Sequence, residues 1–156
     1  MRGRGRPGVI ESILVGTDGS ETAGVAVEHA IEVARALGAR LLIVSAYEPV
    51  PERALRNERL PAAEDAHWSV KPREDVLELL ESAQAAAHAA GVDPVETFAR
   101  VGDGADAILD VAEEQRCDLI VVGHRGMTGA TRFLLGSVPN KVSHHAPCSV
   151  MIVRTS

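Results

Sequence analysis

Gly123 and Gly126 are separated by two residues, and nine more lead to Gly136-Ser137, in the stretch GHRGMTGATRFLLGSVPNKV. These residue types in this order suit the holding of an anion. Glycine lacks a Cβ, so at Gly123 and Gly126 the backbone can take φ > 0 and approach a ligand closely. Successive N–H groups in such a turn form an anion-binding nest. Gly136-Ser137 stands where a helix should begin, offering free N–H groups and about half a positive charge, with the Ser137 hydroxyl as an added donor. Pro139 is tolerated in a first helical turn but lacks an N–H. Ser137, Val138 and Asn140 are therefore the backbone donors expected there. Any one of these glycines could serve a turn alone; two clusters joined by one loop point to phosphate.

The charged groups nearby are few. Arg125 and Arg132 lie inside the loop, and either can reach a phosphate with two parallel hydrogen bonds. A carboxylate at Asp18, in the run ILVGTDGS, can accept from ribose hydroxyls or close an Asx turn with Gly19. His124 reads as a rim or packing residue, and His29 and His88 as structural. His144-His145 stand before Pro147, where they suit the capping of helical carbonyls; without a carboxylate they make a poor zinc pair. Cys117 and Cys148 have no metal-like spacing and read as reduced, buried thiols rather than a disulfide. The sequence contains no G-x-x-x-x-G-K-[ST], HRD or DFG, and no triad or acidic magnesium cage. Binding rather than turnover is expected, with Asp18 able to help hold a nucleotide-bound Mg2+.

These residues must be positioned by alternating elements. Apolar runs at Ile13–Val15, Leu41–Ala46, Val95–Val101, Asp118–Gly123 and Ser149–Arg154 read as strands. Between them lie helices from Ser20 to Gly38, Arg73 to Ala90, Ala105 to Gln115, and one from Ser137. Ser20 and Asp103 are the expected N-caps, and Gly38 and Gly91 the expected stops. The segment from Tyr47 to about Ser69 holds three prolines and reads as a long surface connection. Apolar inner strands imply helices on both faces of a parallel sheet. The expectation is an α/β, doubly wound, five-stranded sheet of order 3-2-1-4-5, with its ligand crevice beyond strands one and four.

Composition bounds the function. The 156 residues fit one domain, placed at 9–156 after a flexible leader at 1–8. They are 46% hydrophobic but only 3% aromatic, so Val, Ile, Leu and Ala must fill the core. The net charge of −6 becomes −9 once Arg2, Arg4 and Arg6 of the leader are set aside. Nucleic acid is thereby disfavoured as a partner, because phosphate contacts need a basic surface. No apolar run reaches the ~20 residues of a membrane span, and the basic N-terminus lacks a signal-like apolar stretch. A cytoplasmic location is expected. A receiver domain is rejected, since Asp18 and Arg154 alone stand where it needs an acidic cluster and a lysine.

The stretches GTDGS, DLIVVGHRG and LLGSVPNKVSHHAPCSVMIV resemble the universal stress protein family over about residues 9 to 154. The G-x-x-G-x(9)-G-[ST] spacing is similar to that of its ATP-binding subclass. The resemblance implies a Rossmann-like fold of the adenine nucleotide alpha hydrolase type. It further implies that Asp18, with Thr17 beside it, contacts the adenosine portion, and that Ala46 borders the adenine. Gly123, Arg125, Gly126, Gly136, Ser137 and Val138 should surround the phosphates. The implied ligand is ATP, or alternatively AMP or cyclic AMP, and the implied role a stress-response or signalling module. A slow ATPase or autophosphorylating enzyme, and a nucleotide-independent interaction protein of the same fold, are the alternatives. Strand Ser149 to Arg154, apolar and at a sheet edge, is expected to pair with its copy in a homodimer, in keeping with the family's habit.

Overall fold

The computed structural model describes residues 8–48, 72–124 and 135–155. Along them run β1 (Ser12–Gly16), α1 (Glu21–Leu37), β2 (Arg40–Tyr47), α2 (Arg73–Ala89), β3 (Val95–Val101), α3 (Gly104–Gln115), β4 (Leu119–His124), α4 (Ser137–His145) and β5 (Ser149–Arg154). The strands form one parallel sheet in the expected order β3-β2-β1-β4-β5. The leader, apart from Gly8, and most of the expected surface connection lie outside the described residues.

β1 is buried at all five positions because it has a strand on either side and helices on both faces. Side chains alternate between the faces. Ile13, Val15, Ile43 and Val121 pack with Ala26, Ala30 and Ala34 of α1 and with Val76 and Leu80 of α2. Leu14, Leu42, Val44, Ala46 and Ile120 pack with Ile108 and Val111 of α3 and with Val138 and Val142 of α4. Alanines along α1 and α3 let those helices approach the sheet closely, which is how a core with so few rings is filled.

Local signals set the helix ends. The Ser20 hydroxyl accepts from Ala23 N–H at 3.2 Å and starts α1. Gly38 ends it in the left-handed region at φ 63°, where a side chain would be strained. The Asp103 carboxylate accepts from Asp106 N–H at 3.2 Å and starts α3. His144 and His145 fall in the last turn of α4, but the closing bond there is Ala146 N–H to Val142 O, 2.8 Å. β2 extends one residue beyond its expected run at each end, pairing with β3 up to Tyr47↔Val101. β4 is shifted one residue later than expected at both ends, and just before it the Asp118 carboxylate accepts from the N–H groups of Glu11 (2.9 Å) and Ser12 (3.0 Å), tying the chain there to the start of β1.

Cys117 and Cys148 are free thiols, the first buried and the second half-buried. Burial, with Cys148 close by, raises Cys117 from 9.0 to about 12, and burial raises Cys148 as well. Both are therefore protonated and weakly nucleophilic near neutral pH.

Candidate functional site

The sheet reverses its winding between β1 and β4, which is where a doubly wound sheet takes its ligand. Moving out from β1, the chain proceeds to β2 in one direction and to β4 in the other. Gly16 pairs with Val44, and Val15 with Val121. Both ladders end at these pairs, so Thr17 and Asp18 follow directly at the carboxyl edge of the sheet, where β2 runs on to Tyr47 and β4 to His124. The ends of β1, β2 and β4 thus lie at one edge of the sheet, with Asp18 and Ala46 among the residues expected there.

The β1–α1 turn is held by its own side chains. Thr17 is 2% exposed and Asp18 8%. Thr17 N–H donates to Val44 O at 3.0 Å, and its carbonyl accepts from the Ser45 hydroxyl at 2.6 Å. Its own hydroxyl accepts from Gly19 N–H at 3.2 Å. Asp18 Oδ1 accepts from Ser20 N–H at 2.8 Å, which is the Asx turn. Gly19 takes φ 81°, a conformation this turn requires and other residues resist. The sequence left the Asx turn and a ribose contact as alternatives for Asp18. The structure realises the first with Oδ1, while a carboxylate has about four acceptor sites in all. A ligand hydroxyl can still be accepted.

The glycines at the phosphate end behave differently from expectation. Gly123 lies inside β4 and is not among the described glycines at positive φ. Its need for glycine is spatial: a Cβ there would lie 3.2 Å from Thr155 Cγ2 and 3.3 Å from the Thr22 carbonyl oxygen of α1. Gly136 has φ −59° and ψ 163°, also open to other residues, and is the N-cap of α4 with no side-chain cap. It is buried, with its carbonyl accepting from Asn140 N–H at 3.0 Å. Ser137 is exposed and Val138 is buried against the core. The first turn of α4 accordingly presents backbone N–H groups uncapped by any described side chain. Arg125, Gly126 and Arg132 lie outside the described residues.

Two further groups had no signal in the local sequence. The Thr155 hydroxyl donates to the His124 carbonyl at 2.6 Å. Lys141, one turn into α4, reaches Asp106 at 2.6 Å and Asp103 at 3.5 Å, linking the starts of α3 and α4. The hydrogen bond from Lys141 to Asp106 raises the ammonium above the ordinary lysine value, so its charge persists throughout the physiological range. His124 Nδ1 is buried and finds no hydrogen-bond partner among the described residues. Among the described residues no cluster of three or more His, Cys, Asp or Glu is placed to hold a metal. No described helix is long and apolar enough to cross a membrane.

The profile of the universal stress protein family matches residues 10–154. A universal stress protein of Mycobacterium tuberculosis is 39% identical over 146 residues, covering 94% of this chain and 97% of that protein. A universal stress protein of Thermus aquaticus is 40% identical over 147 residues, covering 94% of this chain and 100% of that one. Among solved structures, a universal stress protein in complex with cyclic AMP superposes with a TM-score of 0.71 at 32% identity, covering 95% of this chain and 99% of that one.

Proposed function

This chain belongs to the universal stress protein family, and on that premise we propose that it binds an adenine nucleotide at the carboxyl edge of β1, β2 and β4. The carrying observation is that β1 ends at Gly16 between β2 and β4, at the reversal of the sheet, with Asp18 in the turn that follows. The α4 terminus adds N–H groups that no described side chain caps. Adenine would border Ala46, and the ribose would reach Asp18 and Thr17. The phosphates would meet Gly123, Arg125, Gly126, Gly136, Ser137 and Val138. A related protein solved with cyclic AMP supports the ligand class. ATP is the favoured member because the G-x-x-G-x(9)-G-[ST] spacing is similar to that of the family's ATP-binding subclass; AMP and cyclic AMP are the alternatives. Mg2+ would arrive with the triphosphate, Asp18 being the carboxylate at that strand end.

The domain, from 9 to 156, would act in the cytoplasm as a stress-response or signalling module by holding nucleotide rather than consuming it. Heat release of ligand from freshly purified protein, followed by mass spectrometry, should yield an adenine nucleotide. Titration of ligand-free protein with ATP, AMP and cyclic AMP should rank them. No released nucleotide and no heat of binding for any of the three would sink the reading.

The assembly proposed is a twofold dimer through β5. This strand forms one edge of the sheet, and Ile152 is 39% exposed beside the partly buried Val150 and Met151. An open apolar edge invites antiparallel pairing with a copy. Ile152→Lys sets a charge on that edge and should shift the protein to monomer in sedimentation velocity; a persistent dimer would move the interface elsewhere.

A further inference from the structure

The geometry points to Lys141 and Asp106 as a pair that grades ligands by charge, setting how strongly the site favours a phosphate-rich nucleotide over a phosphate-poor one; this rests on the nucleotide reading above. α3 and α4 pack on the same face of the sheet, against Leu14, Ile120 and Val122. α3 lies along β2 and β1, and α4 along β4 and β5, so the two helices flank the reversal between β1 and β4. Each runs back to the edge where β4 or β5 starts, so both begin at the carboxyl edge. Lys141 Nζ joins their starts, 2.6 Å from Asp106 Oδ1 and 3.5 Å from Asp103 Oδ2.

A helical side chain leans toward the N-terminus of its own helix, over the residue four positions before it. For Lys141 that residue is Ser137, exposed at the opening of α4. The ammonium is therefore carried toward the uncapped N–H groups, and Asp103 and Asp106 bring two carboxylates to the same place. Two carboxylates against one ammonium leave a residual negative charge beside the proposed phosphates. Asp103 is committed to capping α3, accepting from Asp106 N–H at 3.2 Å, whereas Asp106 makes the shorter bond to the lysine. All three side chains are 43% to 58% exposed, so the bridge itself adds little stability. A polyanion feels it more strongly, because every ligand charge within a Debye length of about 8 Å contributes. Neither partner needs to touch the ligand.

Substituting each partner separates a graded charge from a mechanical tie. Lys141→Gln and Asp106→Asn both break the bridge, but they move the local charge in opposite directions. Affinities for ATP, AMP and adenosine, which carries no phosphate, are measured by calorimetry at low salt. Lys141→Gln should weaken ATP about fivefold and AMP about twofold, and leave adenosine unchanged. Asp106→Asn should tighten ATP and AMP in the same proportion. Lys141→Arg keeps the charge and should stay within about twofold of wild type for all three. In about 1 M salt, where the Debye length is about 3 Å, the differences should shrink below about twofold. Equal weakening of all three ligands in both bridge-breaking variants would make the bridge a tie and overturn the proposal. Wild-type affinities in both variants would overturn it as well, with the nucleotide reading left standing. Should the wild type bind none of the three ligands, that reading fails and the proposal falls with it.

Discussion

Ser137→Glu is expected to lower the affinity for ATP about 30- to 150-fold, from roughly 2–3 kcal/mol of repulsion between close like charges in a partly screened site. The same change should leave the fold as stable as before or slightly more so. Ser137 is the first residue of α4 and is exposed, with Gly136 as N-cap and no side-chain cap. A carboxylate at a helix N-terminus interacts favourably with the macrodipole, typically by about 0.3–1 kcal/mol. The two effects have opposite signs because the dipole stabilises any anion, and the new side chain would occupy the place of the ligand's. Calorimetric titration beside a thermal melt reads both at once. Undiminished ATP affinity would separate this terminus from the phosphates, and a collapse in stability would show that the site had been damaged rather than occupied.

Gly123→Val should destabilise the ligand-free protein by about 1–3 kcal/mol, the usual cost of overfilling a packed region. The Cβ would press on Thr155 Cγ2 and on the Thr22 carbonyl oxygen. The first is a side chain and can be removed; the second is backbone at the start of α1 and cannot. Adding Thr155→Ser, which removes Cγ2 but keeps the hydroxyl on the His124 carbonyl, to Gly123→Val should therefore restore part of the stability, not all of it. Urea denaturation without nucleotide gives the comparison. If Gly123 served only the approach of a ligand, neither single nor double variant would differ from its parent in the absence of one.

Gly123 also marks the limit of what was legible in the sequence. The caps at Ser20 and Asp103 and the stop at Gly38 could be read because each depends on neighbours within a few residues, the strands could be read from their apolar runs, and the strand order followed from the crossover rule with the family resemblance. The reason for Gly123 could not. Its constraint comes from Thr22 and Thr155, far away in the chain and brought together only by the packing of α1 and β5 against β4. The sequence suggested backbone freedom, and the structure shows a lack of room. Asp18 was legible as a group at the right strand end, but not the division of its carboxylate, since the bond to Ser20 N–H depends on the path of the turn. Thr155 carried no local mark at all: a threonine after a last strand is ordinary until its hydroxyl is seen against the His124 carbonyl.

The place of β1 in the sheet has a consequence for how the molecule is made. β1 is fully buried and sits between β2 and β4, and Ile13 pairs with Leu119 across most of the chain. During synthesis β1 can acquire β2 early, but its other side stays open until β4 has emerged. Pairings so distant in sequence close slowly, and an unpaired apolar strand in a growing chain is a template for association with other chains. Between the emergence of β2 and that of β4 this apolar edge stays open, so slowing translation there should lower soluble yield more than slowing it after β4.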